Sequence, residues 1–560
     1  MIKRFCLQTI CVLVVCVLPV LITAQSIYLQ HGTKHQIFVE RLEILLQKNN
    51  WLNIYTPGTV PRPLAVQIAG LEDSSSGNPS IKLSRVDQQN LLSFLRNNAE
   101  YVGWDRNRKH ILYRNRANFI EVNKENFFLS INPVGLAEQS YEIDNTMPVY
   151  HFAGGANLRG LIAKKVGFYS YVTKHAGSAP LFLQQRIAEF NALPGAGNFE
   201  TYKKGRGYIY FDTRGGVNFN ASKHFNIEIA FDRNFIGNGY RSLILSDYGY
   251  SYLYLKANSY FGKFRYKHLF AKMANPFSSG RSKESWPYGE KVLLMHHLSI
   301  NATRWLNIGV FQSLIANEKS KWNYINPIMF FPRTGYQRNN PPDNDLAGLD
   351  FKANVAKRTQ FYGQLMMDNF TLNQVMKGNG WWNNRYGIQL GAKYINVFNV
   401  KNLDFQIEMN SVRPYTFSSK DSIGNYSHYN QPLAHPLGSN FREWIGILRF
   451  QPSKRITMSA RTIVWKQGLD TSGLENFGSN IFKGNNERPG EFGLNIPYGF
   501  INSALNAQVM FSYEIAENIF LDAGILIRKN RIENNIIPEQ NTTLLSGGLR
   551  MNLFKRDYDF

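Results

Sequence analysis

Leu403-Asp404-Phe405-Gln406-Ile407-Glu408-Met409-Asn410 places an apolar side chain at every odd position and a polar one at every even position. A period of two belongs to a strand with one apolar and one polar face. Phe225, Ile227, Ile229 and Phe231 repeat the pattern against Asn226, Glu228, Ala230 and Asp232. Phe361, Gly363, Leu365 and Met367 repeat it against Gln360, Tyr362 and Gln364, with Met366 as the exception. Ile519, Leu521, Ala523, Ile525 and Ile527 do so again later in the chain. A soluble sandwich alternates in the same way, so the period leaves two architectures open.

The connections separate them. Short ones lie near Ala163–Lys165, Ala221–His224, Phe261–Lys263, Ala302–Trp305, Val355–Arg358, Asn396–Lys401, Pro452–Lys454 and Ile515–Asn518. Long polar segments fall between them, at 174–205, 233–250, 272–291, 314–353, 370–384, 412–442 and 466–502. Short turns at one end and long loops at the other describe an outer-membrane β-barrel with its turns in the periplasm. With a first strand near Phe127–Pro133 and a last at Leu545–Leu553, the expectation is an all-β barrel of about 18 antiparallel strands, the even number bacterial barrels use. In that last strand Leu545, Gly547, Leu549, Met551 and Leu553 face one way and Ser546, Gly548, Arg550 and Asn552 the other. The tail Phe554–Phe560 switches parity. Its aromatic residues Tyr558 and Phe560 are of the kind that outer-membrane insertion machinery reads.

Composition agrees. The chain carries 14% aromatic residues, among them 30 Tyr and 39 Phe, with abundant Gly and Asn and modest hydrophobicity. Such a mixture suits strands that show apolar groups to lipid and polar ones to a lumen. After the N-terminal run, no apolar stretch is long enough to span a bilayer as a helix.

Lys3 and Arg4, the apolar run Ile10 to Ile22 and the sequence Thr23-Ala24-Gln25 read as an export signal over residues 1–24. All three cysteines, Cys6, Cys11 and Cys16, fall inside it, so the exported chain has no disulfide and no thiolate metal site. Residues 25–115 read as a small helical periplasmic domain. Phe38, Leu42, Leu45 and Leu46 share one helix face, as do Leu91, Leu92 and Leu95. Ser84 caps the second helix with Asp87 three residues on. Pro57-Gly58-Thr59-Val60-Pro61-Arg62-Pro63 excludes regular structure between them. Residues 116–560 are assigned to the barrel.

The formal charge of +23 favours anionic partners. For an exported chain these are surface polysaccharide or lipopolysaccharide phosphate, beside the outer-membrane lipids, rather than nucleic acid.

Several segments resemble the Wzi-like capsule-assembly family of outer-membrane proteins, and most closely its Bacteroidetes branch of RemB-type gliding-motility proteins. They are Tyr210-Phe211-Asp212-Thr213-Arg214-Gly215-Gly216, Asp232-Arg233-Asn234-Phe235-Ile236-Gly237-Asn238-Gly239-Tyr240-Arg241-Ser242-Leu243 and Tyr386-Gly387-Ile388-Gln389-Leu390-Gly391-Ala392-Lys393-Tyr394. Val412-Arg413-Pro414-Tyr415-Thr416 and His428-Tyr429-Asn430-Gln431-Pro432-Leu433-Ala434-His435-Pro436-Leu437-Gly438 complete the set. The resemblance implies an eighteen-stranded barrel with periplasmic helices and a lectin-like role in holding capsular polysaccharide at the cell surface.

Candidate binding residues follow from chemistry. Gly237 and Gly239 permit positive φ, and Tyr240 and Arg241 between strands can meet a carboxylate or phosphate. Equally, Asp232 and Arg241 can pair and pin that loop in the barrel mouth. Arg413, Tyr415, His428, Tyr429, Asn430, Gln431 and His435 combine aromatic faces for sugar C–H groups with amides for hydroxyls. A self-packed lid braced by Pro432 and Pro436 explains the same residues. Trp381 and Trp382 either stack on sugar or join an interfacial aromatic girdle. His296 and His297 point to opposite faces of a strand and cannot share a metal. Asp404 and Glu408 lie about 13 Å apart along a strand, too far for a glycosidase pair. The expectation is therefore a binding protein without catalysis or cofactor, which tethers surface polysaccharide. The alternatives are a gliding-motility or adhesion component, working with gliding or secretion machinery, and a porin-like channel.

Overall fold

The computed structural model describes residues 28–47, 60–61, 83–102, 112–113 and 115–560, except 144, 146, 203–205, 223, 276–288, 318–343, 421–422, 471–474, 534–538 and 554–557. The proposed signal and most of the Pro57–Pro63 stretch lie outside these residues. Val60–Pro61 does pair with Tyr28–Leu29, so regular structure touches that stretch after all.

Eighteen antiparallel strands close a barrel. The first six are β1 (Phe127–Glu142), β2 (Val149–Ile162), β3 (Val166–Ser178), β4 (Gly207–Ser222), β5 (Phe225–Asp232) and β6 (Tyr252–Phe261). Next come β7 (Phe264–Asn275), β8 (Gly289–Asn301), β9 (Leu306–Asn317), β10 (Asn344–Val355), β11 (Thr359–Asn369) and β12 (Arg385–Tyr394). The last are β13 (Leu403–Val412), β14 (Phe441–Phe450), β15 (Ile456–Leu469), β16 (Phe500–Ala516), β17 (Ile519–Ile532) and β18 (Gln540–Met551). Closure is antiparallel, with Leu544 opposite Glu142 and Met551 opposite Gly135. Each of the short connections expected from sequence is a turn between consecutive strands. No helix among the described residues is long and apolar enough to cross a membrane; the strands make the crossing.

Alternation turns the barrel inside out. Ile229, Leu255, Phe361, Leu390, Ile407, Leu521 and Leu545 are exposed on its outer face, while Glu228, Lys256, Tyr362, Gln389, Glu408 and Asp522 are buried in its lumen. Met366, the exception to the pattern, joins a buried apolar cluster with Leu243 and Phe417. That cluster forms because the long loops fold inward and bring their own apolar residues. On β7–β9 the register puts Tyr266, His268, His296 and Gln312 on the outer face, while His297 turns inward to Asp350 at 2.6 Å. The two adjacent histidines thus face opposite ways, as their spacing demands.

Helices α1 (Lys34–Leu46) and α2 (Arg85–Arg96) pack through Phe38, Val39, Leu42, Leu91 and Phe94. Ser84 Oγ accepts from the Asp87 N–H at 2.9 Å, the expected cap. The polar side of α1 is buried too, because the helix pair sits in the short-turn mouth of the barrel. Glu43 meets Lys352 at 2.8 Å, Glu40 meets Lys393 at 3.0 Å, and Arg41 bridges Asp87 and Asp404. At the β16–β17 turn, Glu517 takes Arg96 at 3.0 Å and Lys34 at 3.4 Å.

Candidate functional site

The loop between β5 and β6 folds into the lumen because the lumen offers it hydrogen-bond partners. Glu408 accepts the N–H groups of Tyr240 at 2.7 Å and Arg241 at 3.0 Å. Gln364 accepts from Leu243 N–H at 2.7 Å, and Gln389 donates to the Arg241 carbonyl at 3.0 Å. Gly237 and Gly239 are glycine for a reason other than the expected one. Neither has positive φ. A Cβ on Gly239 would fall 2.3 Å from Glu408 Oε2, and one on Gly237 would fall 2.7 Å from Gln364 Nε2. Close approach of the backbone to lumen side chains means that any larger residue must push Glu408 or Gln364 out of place.

The expected Asp232–Arg241 pair does not form. Asp232 accepts from the Tyr169 hydroxyl at 2.7 Å and lies 3.9 Å from Arg214. Arg241, 8% exposed, meets Glu443 at 3.5 Å and Asp559 at 3.0 Å. The loop is pinned inside the barrel, but by acids from β14 and from the tail.

Among its described residues the 413–440 loop is packed, and His428, Asn430, Gln431 and His435 bond to the protein itself. His428 Nδ1 accepts from the Ala274 N–H at 2.9 Å, so Nε2 carries the hydrogen and donates to the Ser251 carbonyl at 3.2 Å. Burial pushes this imidazole down to about 3, keeping it neutral. Gln431 accepts from Gly195 N–H at 2.6 Å and donates to the Ala196 carbonyl at 2.7 Å. Asn430 donates to the Phe190 carbonyl at 3.1 Å. His435, also lowered by burial, pairs with Glu443 at 2.7 Å and stacks on Phe441. Tyr415 is fully buried, with its hydroxyl on the Asn476 carbonyl at 2.5 Å. Tyr429 is half-buried, edge-on to Tyr250.

Trp381, Trp382 and Arg413 remain partly exposed. They lie where two long loops pair: Trp382 N–H donates to the Glu491 carbonyl at 2.8 Å, and Gly493 N–H to the Asn379 carbonyl at 2.8 Å. The Arg488 guanidinium sits 3.9 Å over the Trp382 ring, and Arg413 donates to the Trp381 carbonyl at 3.2 Å. Two indoles flanked by two arginines, with Asn383 beside them, form an aromatic and cationic surface at the long-loop end. Asp404 and Glu408 serve separate partners, Arg41 and the Tyr240–Arg241 backbone, so no carboxylate pair forms there.

Sequence reasoning missed Arg488, which no pattern links to Trp382. It also missed the tail. Tyr558, Asp559 and Phe560 leave the sheet and lie in the lumen, where Asp559 and Phe560 are each 3% exposed. The parity switch after β18 was the signal for that departure.

No protein-family description matches the sequence, and no curated protein does. Among solved structures, the chain is similar to Wzi of Escherichia coli, described as an outer-membrane protein involved in group 1 capsule assembly and a carbohydrate-binding β-barrel. The TM-score is 0.52 at 11% identity, over 91% of this chain and 98% of that one. OprD of Pseudomonas aeruginosa is a looser likeness, with a TM-score of 0.40 at 12% identity over 75% of this chain and 94% of that one. The shared feature is the fold of an outer-membrane β-barrel.

Proposed function

We propose that this chain is an outer-membrane barrel that binds anionic surface polysaccharide at its long-loop end, without catalysis. The observation that carries the reading is how the lumen is filled. Helices α1 and α2 occupy the short-turn mouth, the 233–251 loop and the tail occupy the middle, and the 413–440 wedge packs above them. Ion pairs and hydrogen bonds fix these pieces, which disfavours an open passage and makes the exposed long-loop surface the first place for a polymer to meet the barrel. Trp381, Trp382, Arg413 and Arg488 there supply stacking faces for sugar rings and guanidinium groups for acidic substituents. The likeness to a carbohydrate-binding barrel and the basic composition agree with this choice.

Cell-associated and shed polysaccharide are compared in a deletion strain, scored beside surface spreading. Loss of attached polysaccharide with spreading intact is the expected result. Abolished spreading with polysaccharide retained favours the gliding or adhesion role that the RemB-type resemblance implies, and no change in either sinks both.

A further inference from the structure

Four arginines converge on the last described segment, Tyr558–Phe560. Arg241 reaches Asp559 twice, with Nη1 3.0 Å from Oδ1 and Nη2 3.1 Å from the main-chain oxygen. Arg461 Nη1 lies 3.5 Å from Oδ2, and the Tyr240 hydroxyl donates to the same carboxylate. Arg528 Nη2 donates to the Phe560 main-chain oxygen at 3.2 Å, and the Arg186 guanidinium lies 4.3 Å over the Phe560 ring. The other acids facing the cluster are Glu443, shared with His435, Glu408, spent on backbone N–H groups, and Glu189, which lies near Arg186.

Without Asp559 the cage would hold an uncompensated excess of buried positive charge, which a protein interior does not tolerate. An anion is therefore part of the design. The cage is built by barrel strands (Arg461 and Arg528), the inward loop (Arg241) and the helix Leu181–Phe190 (Arg186), whereas the occupant belongs to no strand or helix. Donor capacity also exceeds what the occupant uses. Arg241 and Arg528 are each at least nine-tenths buried, and their Nε atoms have no acceptor among the described residues. Aromatic rings complete the cage: Tyr240 lies under Arg241 and Arg461, and Tyr248 meets Phe560 edge-on at 5.8 Å. Asp559 and Phe560 together present a carboxylate beside a flat apolar ring. A uronic-acid sugar presents the same pair, and so does a small aromatic acid.

We propose that the Arg186–Arg241–Arg461–Arg528 cage is a binding site for a carboxylate attached to a ring, and that Asp559–Phe560 is its internal occupant, displaced when the ligand binds. The choice of an acidic sugar as first probe rests on the polysaccharide reading above. The tail acts as a competitor in place, lowering apparent affinity by the fraction of time it holds the cage.

The test uses the full chain in detergent with Cys6, Cys11 and Cys16 replaced by serine and Phe560→Cys as the sole thiol. A polar maleimide should label it slowly, and trigalacturonate should speed labelling where its neutral methyl ester does not. Asp559→Asn in the otherwise native chain should bind trigalacturonate about tenfold more tightly, because the competitor is weakened. Benzoate that releases the thiol when trigalacturonate does not assigns the site to small acids. Release by trigalacturonate assigns it to acidic glycan. The proposal fails if neither acid alters labelling, if the methyl ester acts as well as the acid, or if Asp559→Asn leaves affinity unchanged. Such failure beside a deletion strain that still sheds polysaccharide removes the cage and leaves the surface role standing.

Discussion

The sequence marks His428 as one of the loop residues that could meet a sugar, and the structure shows both its ring nitrogens already engaged. A loop residue's type is legible in sequence, but whether its polar atoms are free is not, because the partners Ala274 and Ser251 are far away along the chain. His428→Ala should leave the Ala274 N–H without its acceptor and cost about 1–3 kcal/mol, read as a lower unfolding temperature by heat-modified mobility. Burial holds the folded ring at about 3, whereas the unfolded ring titrates near 6.5. Its contribution to stability should therefore be complete above about pH 6.5 and be lost progressively as pH falls from there toward 3. Trp381→Ala, at a partly exposed ring, should leave unfolding unchanged and weaken polysaccharide retention. Gly239 makes the complementary point: glycine was rightly singled out, but for a backbone freedom it does not use. Gly239→Ala should cost about 1–3 kcal/mol, because its Cβ meets Glu408 and Tyr362 within 3.0 Å; hydrogen exchange in the 233–251 loop checks this.

At the scale of elements, the strands and the cap of α2 could be read because each rests on local pattern. The docking of α1 could not. The partners of its Arg41, Glu43 and Glu40 are Asp404, Lys352 and Lys393, which lie on barrel strands hundreds of residues away. Docking should depend on pH through Glu517. Burial pushes its carboxyl up, but Lys34, Ser93 and Arg96 outweigh that and hold it below the usual carboxylate range. A lowered folded-state value means that its contribution is complete above the unfolded value near 4.5 and is lost as pH falls through the folded one. Glu40 follows the same sense, whereas Glu43, raised by burial, opposes it. Acidification from about pH 7 to about pH 3.5 should therefore increase protease cutting of α1 and α2 while the barrel stays folded. Glu517→Gln should show more cutting at neutral pH and a smaller response to acid.

At the scale of the molecule, strand number and turn placement followed from a period of two and from loop lengths, both visible in one dimension. The contents of the barrel did not, since inward loops, helices and tail meet only across its diameter. Those contents predict little conductance in planar bilayers, and a large, steady open-channel current would favour the porin-like alternative. The seam between β1 and β18 carries a further consequence, for the order in which the molecule is put together. Closure needs β18, so the cylinder cannot exist until every strand before it has been made. Helices α1 and α2 precede every barrel strand in the chain, so they are made before the mouth into which they dock exists.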